Sequence, residues 1–503
     1  MPHTYRLILL LGLLTLPLSP LPTQAADDPP SPKKRPHIFW ILVDTLRLDH
    51  TSLPGYGRNT TPHIKAFAQE ATLFESAKSQ ASWTIPAVAS LLTGQFPFNH
   101  GILTRPSQQP EQQRLTGTLI QTVKEAGGYH GVSIQRNHMI EHLTGDFTEH
   151  HPQTDWQKNS DGDAVTEALE VVKKHVGTEK PSPAPTPASP LLLFLGLFNP
   201  HWPYVWSLQE GEWFERYLTD QTFQQSPSRN IQRFPFPGGE LTPSHLPEKL
   251  RKRFPTAETL YNPNQPGYQK PSPFFQRIKH QGGYRDERLY IAAYDAEIRY
   301  TDQQIGRFLN DLKKNALYDN ALIIVMADHG ELMNEQDTTP FHHGSHLYNA
   351  ELAVPLMIKF PHQTQQQVVT PTIRSMDLWP TLLDYLALPH PPVDGQSLLP
   401  LIQGKEVDFD QRPVISYTEA EGPKISLYRE GHHLIHTLRN RESRLYRQDL
   451  DPLEQNNLAA DQPRWVEALT TFLCQHHCPP WLTTTEKQTP EMNPTRPTNF
   501  SNY

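Results

Sequence analysis

Three apolar runs in this sequence end on residues able to do chemistry. Residues 37–43 lead into Asp44 and Thr45, residues 191–198 into Asn199, Pro200 and His201, and residues 321–327 into Asp328 and His329. Open parallel sheets bind ligands beyond the carboxyl ends of their strands, so these three places are where a site is expected. Adjacent Asp and His side chains can both ligate a divalent cation. The plainer alternative is a strand-end salt bridge or a helix cap. A fourth segment, residues 82–94, puts Thr84 at the start of a helix with Pro86 in its first turn and Gly94 at its end. Thr84 could be a cap and nothing more. Yet a helix N-terminus offers free N–H groups and a positive dipole end, which suit a tetrahedral oxyanion. A hydroxyl placed there could attack phosphorus or sulfur if a cation bound by Asp44, Asp328 and His329 lowered its pKa.

The elements that must position these residues are written in the periodicity. The β-branched, apolar residues 37–43 predict a fully buried parallel strand. Thr60, Thr61 and Pro62 open a helix continued by Ile64, Phe67, Ala68 and Ala71. Helical patterns near 116–126, 163–176 and 288–317 alternate with apolar strands at 191–198 and 321–327. Such alternation predicts an α/β sandwich with a mostly parallel central sheet. On the long helix, Asp295, Glu297, Arg299 and Asp302 read as a solvated face, because charges at helical spacing are usually exposed. Residues 180–190 form a Pro/Ser/Ala linker. Residues 204–283 are rich in Pro, Gln, Arg and aromatics without periodicity, and a stretch that long covers a site or is disordered. Its Trp206, Trp213, Phe214 and Tyr217 could floor a substrate site or pack the insertion on the main domain. Short alternating runs at 414–418, 432–437 and 445–446 predict a small antiparallel sheet.

Composition narrows the class. A net charge of -8 over 503 residues argues against a nucleic-acid surface, which would show a basic stripe. Arg6 precedes an apolar run at 7–16, and Thr23-Gln24-Ala25 offers a small-residue cleavage pattern, so residues 1–25 read as a signal peptide of a secreted or periplasmic protein. An uncleaved tether is the alternative. No later run approaches the roughly 20 apolar residues of a transmembrane helix. The two cysteines, Cys474 and Cys478, fit a local disulfide in an oxidising compartment better than a metal clip, for which a second ligand cluster is lacking.

Taken in order, Val43-Asp44-Thr45-Leu46-Arg47, the block from Thr84 to Gly94, Gly128-Tyr129, His201-Trp202-Pro203-Tyr204, Ala327-Asp328-His329-Gly330-Glu331, Leu347-Tyr348 with Val354-Pro355-Leu356, Asp377 to Leu383 and Asp394-Gly395-Gln396-Ser397-Leu398 resemble the sulfatase family, in the sulfatase-like branch of the alkaline phosphatase superfamily. The resemblance runs from Pro36 to about Leu458. With the shift in composition from about Lys405 and the polar, proline-rich residues after Pro479, the expected organisation is a catalytic domain over 36–404 carrying the 204–283 insertion, a small C-terminal α+β subdomain over 405–478, and a disordered tail over 479–503. The resemblance implies a metal cluster of Asp44, Thr84, Asp328 and His329, with Thr84 as nucleophile. Arg136 and His138 fall where the family has a lysine and a histidine, and His201 resembles a family histidine that could act as general acid. A family lysine is replaced by His342-His343-Gly344, of which His343 is favoured.

Departures from the family pattern matter as much. The family begins the Thr84 block with a Cys or Ser that becomes formylglycine; threonine cannot undergo that conversion, so no formylglycine is expected. Val88 stands where sulfatases have an arginine, and Thr45 where they have a second aspartate. What remains resembles the threonine-using phosphotransfer and phosphodiesterase relatives, in which an alkoxide attacks phosphorus and a phosphothreonine forms. The expected activity is hydrolysis or transfer of phosphate mono- or diesters on a small-molecule, glycan or lipid-headgroup substrate. A sulfuric ester hydrolase and a catalytically silent binding protein are the alternatives. One histidine with two carboxylates favours Mn²⁺ or Zn²⁺, with Ca²⁺ possible. One metal ion is expected; Asp146 with His150 is a weak candidate for a second.

Overall fold

The computed structural model describes residues 35–104, 115–152, 160–176, 189–202, 204, 212–217, 220–226, 287–333, 335–336, 341–405 and 413–476. The expected leader (1–25), the 180–188 part of the linker, most of the 204–283 insertion including Trp206, the Cys474 side chain with Cys478, and the tail lie outside the described residues.

The central sheet has nine strands: β1 (Ile38–Val43), β2 (Thr72–Lys78), β3 (His130–Gln135), β4 (Glu149–His151), β5 (Leu191–Leu197), β6 (Leu322–Ala327), β7 (Ala353–Lys359), β8 (Gln367–Val369) and β9 (Ile373–Arg374). Their order is β4-β3-β5-β1-β6-β7-β2-β8, with β9 also on β2. Only β7 runs against its neighbours. The sheet is therefore mostly parallel, as the alternation implied. Buried on both faces, β1, β5 and β6 are apolar at every position except Gly196, which suits strands covered by helices on either side. Phe39 meets Phe308 edge-on at 5.7 Å and Trp40 meets Phe194 at 5.3 Å. Helices Pro62–Ala68, Asp161–Val176 and Glu287–Lys314 pack as one group, and Thr84–Thr93, Leu119–Glu125 and Leu378–Tyr385 as another.

Register decides where the chemistry emerges. Val43 is level with Leu197 on one side and Ala327 on the other, and Gln135 with Gly196. The residues that follow β1, β3, β5 and β6 therefore leave the sheet at one level.

The long helix Glu287–Lys314 does not present its charges to water as its spacing suggested. Asp295, Glu297 and Asp302 are fully buried. Asp295 accepts from His50 Nδ1 (2.7 Å), Arg58 Nη1 (2.6 Å) and the Tyr56 hydroxyl (2.7 Å). Glu297 accepts from Asn199 Nδ2 at 2.8 Å. Asp302 takes the free N–H groups of His63 and Ile64 at the start of helix Pro62–Ala68, and Arg299 pairs with Asp302 at 3.2 Å. The charges tie the β1–β2 connection and the end of β5 to the helix.

A second, four-stranded antiparallel sheet follows: β10 (Val414–Thr418), β11 (Lys424–Arg429), β12 (His432–Thr437) and β13 (Glu442–Arg447), covered by helix Pro463–His476. Its core of Ile415, Leu427, Leu434, Leu445, Leu469 and Leu473 also takes in Phe96 and Met376 from the larger part. Tyr417 N donates to Gln80 O (2.9 Å), Ser416 Oγ to Ser79 O (2.6 Å), and Thr418 Oγ1 to Gly344 O. Strand β10 thus braces the two chain segments that lead into Thr84 and out of His343.

Candidate active site

Thr84 is the first residue of helix Thr84–Thr93, and Trp83 holds the cap position. The threonine hydroxyl is buried and makes its hydrogen bonds away from the helix backbone: 3.2 Å to His329 Nε2 and 3.4 Å to Asn137 Nδ2. Capping does not explain it. Gly94, in the left-handed region at φ 67°, ends the helix as its sequence position suggested.

Asp44, Asp328 and His329 each offer a ligand atom within 4.8 Å of the others, all from buried residues. His329 Nε2 is 3.6 Å from Asp44 Oδ1 and 3.5 Å from Asp328 Oδ2. Its Nδ1 lies 2.8 Å from the Gly330 carbonyl, which can only accept, so Nδ1 carries the proton and Nε2 presents its lone pair to the cluster. Asp44 Oδ1 and Asp328 Oδ2 are buried and have no hydrogen-bond partner among the described residues. Two orphaned carboxylate oxygens and an imidazole lone pair converging on one point fit a divalent cation. Burial, then the charge of Asp328, pushes the Asp44 carboxyl well above the usual range. Burial also pushes Asp328 up to about 7 and the His329 imidazole down. A bound cation opposes the two carboxylate shifts by favouring the charged forms, and acts with burial in keeping the imidazole neutral.

Thr45 holds the turn after β1 at φ 54°, an uncommon conformation for a β-branched residue. Its N–H donates to Asp328 Oδ1 (3.3 Å) and its carbonyl accepts from the Tyr294 hydroxyl (2.5 Å). The strained turn ties Asp44 to Asp328. Beyond the pair, Gly330 lies where a Cβ would fall 2.0 Å from the Ala350 carbonyl.

Around this cluster the sequence-derived candidates divide. His343 joins it, with its ring centroid 4.6 Å from that of His329 and 4.9 Å from that of His201. His342 turns to Ser345 Oγ at 3.2 Å. His201, following β5, places Nδ1 2.7 Å from the Trp202 carbonyl, and burial followed by the neighbouring His343 pulls its pKa down to about 3. Arg136 is buried, but its guanidinium turns to Glu167 on helix Asp161–Val176, at 2.9 Å. His138 is exposed and opens the short helix His138–Leu143. The side chain between them enters the site instead. Asn137 Oδ1 accepts from Met139 N (2.9 Å), which directs its Nδ2 to Asp44 Oδ2 (2.6 Å) and Thr84. Its position directly beyond β3 and its character as a helix cap were the available signals.

Glu331 was also missed. It is fully buried and receives His343 Nδ1 at 3.1 Å and the Tyr204 hydroxyl at 3.1 Å. Asp146 and His150 do not form a pair: Thr118 donates to Asp146 (2.5 Å) and His150 meets Thr144 (3.2 Å).

Residues 36–388 match the family model described as Sulfatase, and residues 340–474 match that of N-sulphoglucosamine sulphohydrolase, C-terminal, so the chain belongs to the sulfatase family. Among curated relatives it is 24% identical over 385 residues to an ulvan-active sulfatase of Formosa agariphila, covering 76% of this chain and 68% of that one. Among solved structures, one described in complex with its substrate D-glucosamine-2-N,6-O-disulfate superposes with a TM-score of 0.66 at 18% identity, over 88% of this chain and 97% of that one. The phosphonate monoester hydrolase of Agrobacterium radiobacter gives 0.58 at 18% identity, over 88% and 95%. The protein is thus a hydrolase of the sulfatase family with a ligand group suited to a divalent metal. No helix among the described residues is long and apolar enough to cross a membrane.

Proposed function

We propose that this chain hydrolyses or transfers phosphate mono- or diesters with Thr84 as nucleophile. One observation carries the reading. The Thr84 hydroxyl lies at a helix N-terminus, 3.2 Å from His329 and 3.4 Å from Asn137, beside two buried carboxylates. Threonine can supply an alkoxide and cannot supply the formylglycine of sulfate cleavage. Val88 is buried and apolar, and it stands where the family resemblance implies an arginine.

Thr84 Oγ1 would bond to phosphorus while the ester oxygen departs, and water or an acceptor alcohol would cleave the phosphothreonine in a second displacement. Asn137 orients the attacking hydroxyl and holds one oxygen of Asp44. Glu331 fixes the His343 ring through Nδ1, and His343 would protonate the leaving oxygen. His201 rests as a neutral imidazole whose Nδ1 proton is held by Trp202. An arriving phosphate anion favours its protonated form. A divalent cation held by Asp44, Asp328 and His329, with Mn²⁺ or Zn²⁺ favoured by the donor set, would lower the pKa of Thr84 and offset charge on the transferred group.

A second reading, a sulfuric ester hydrolase using unmodified threonine, is favoured by the sulfatase named among the relatives and by the disulfated sugar of the fold neighbour. Both names suit a glycan ester, within the wider class of small-molecule, glycan or lipid-headgroup esters. Purified protein assayed with matched aryl phosphate monoester, phosphodiester and sulfate esters separates the readings. Faster turnover of the sulfate would reverse them. Absence of any turnover lost on Thr84→Ala, together with absence of metal binding, would favour a silent binding protein.

A further inference from the structure

We propose that His130, Glu149 and His175 form a second metal site, for a zinc-type divalent ion, remote from Thr84 and structural in role. The three side chains come from three elements: the first residue of β3, the first residue of edge strand β4, and the C-terminal turn of helix Asp161–Val176. One ligand atom of each lies within 4.8 Å of the others, and all three residues are half-buried. His130 lies about 17 Å along β3 from Gln135 at 3.3 Å per residue, and Asn137 of the active site follows two residues beyond that end.

Distances and tautomer together point to a cation. Nε2 of His130 and Nε2 of His175 each lie 3.0 Å from the same oxygen, Glu149 Oε1. Ligands about 2.0–2.1 Å from a tetrahedral zinc ion stand about 3.3 Å apart, so each nitrogen-to-oxygen distance is within a few tenths of an ångström of that spacing, and the third distance lies within 4.8 Å. A hydrogen bond would also give 3.0 Å, and titration with zinc separates the two; the His175 ring is held by a contact of its own. Its Nδ1 is 3.0 Å from the Val171 carbonyl, an obligate acceptor, so Nδ1 bears hydrogen. Its Nε2 is then the ring atom turned to Glu149 Oε1 and in place to be a ligand. The rings of His130 and His175 are tilted by 31° with centroids 4.5 Å apart, which brings both Nε2 atoms to the same carboxylate oxygen. One ion would take both Nε2 atoms and the carboxylate oxygen as ligands.

Two imidazoles and one carboxylate select zinc-type ions over calcium. Solvent would fill the fourth position on the half-exposed side. Lys174 lies 3.4 Å from the other oxygen, Oε2, and its exposed side chain is free to swing away; His151 Nε2 lies 3.8 Å from Oε2. A bound ion would fasten β4, the outermost strand, and the end of a helix to β3.

The test uses the full chain carrying Asp44→Asn and Asp328→Asn, which disable the active-site ligand group, freed of metal and then titrated with Zn²⁺ alone. The expected result is one zinc per chain and a rise in melting temperature on adding zinc. Adding His175→Gln or His130→Gln should weaken that binding at least 100-fold and abolish the rise, while circular dichroism of the metal-free variants stays unchanged. Replacement by Co²⁺ should give the absorption of a four-coordinate nitrogen and oxygen site. Absence of zinc binding in the doubly substituted chain, or zinc retained in full by the histidine variants, overturns the proposal.

Discussion

The Thr84 hydroxyl and the His329 imidazole meet at 3.2 Å although 245 residues separate them in the chain. One stands at a helix start and the other at a strand end, and neither needs this contact for packing. If Thr84 is the nucleophile, Thr84→Ala should lower kcat by at least about 1,000-fold, a loss of about 4 kcal/mol of transition-state stabilisation. Thr84→Ser should keep much of the rate. Steady-state kinetics on the best aryl ester checks both, and equal rates for Ala and wild type would remove Thr84 from the mechanism.

Asn137 connects that hydroxyl to Asp44 through one amide nitrogen. Asn137→Ala should reduce kcat by about 10- to 100-fold, in the range found when groups that orient metal ligands are lost. Asn137→Asp should do worse, because it sets a third carboxylate against Asp44. A change confined to KM would show that Asn137 only binds substrate.

Metal removal should cost stability as well as rate. Asp44 and Asp328 face each other in a dry site, and a cation that binds only the folded chain stabilises it by about 2.7 kcal/mol at one hundred times its Kd. Chelated protein should melt lower and recover on adding Mn²⁺ or Zn²⁺. Asp328→Asn should weaken that recovery; a melting temperature blind to chelator in the wild type would argue against the metal.

His201 should leave a signature in the pH dependence of folding. Burial lowers its folded pKa to about 3, whereas the unfolded chain titrates near 6.5. Between these values the unfolded state binds the additional proton, so this group makes stability rise with pH across the window and contributes no slope above it. The slope is at most about 1.4 kcal/mol per pH unit. Urea denaturation of wild type and His201→Gln at pH 4 to 7 should show a shallower rise in the variant.

Asp295 gathers His50, Tyr56 and Arg58 on one buried carboxylate. Asp295→Ala leaves the Arg58 guanidinium in the interior without that partner, which should cost about 3–5 kcal/mol by denaturant titration. A loss below 1 kcal/mol would place these charges in contact with water.

Strands β1, β5 and β6 could be read from the sequence to within a residue, because unbroken apolar runs leave a strand few alternatives. β2 and β7 could not. The first carries exposed Glu75 and part-covered Ser76 at a break in its register with β7, and the second has a proline at its third position, so neither gives a clean pattern. The charges on the long helix misled for a related reason. Periodicity reports which residues share a helix face, but burial of that face depends on Arg58, His63 and Asn199, which are remote in sequence. Asp44, Asp328 and His329 were legible because strand ends are informative positions. Asn137 and Glu331 were not, since their parts are set by a local hydrogen bond to Met139 and by the packing of His343 and Tyr204.

The level ends of β1, β5 and β6 make the frame intolerant of one kind of change and permissive of another. Side chains alternate across a strand, so deleting a single residue within β1 would throw Asp44 to the opposite face and out of reach of Asp328. Insertions beyond the strand ends carry no such phase error. A lineage built on this sheet can exchange the reagent at position 84, the neighbour at 45 or the side chain at 88 by point substitution, while strand length stays locked. New substrates would then be acquired through loops, with the count of residues in β1 held constant.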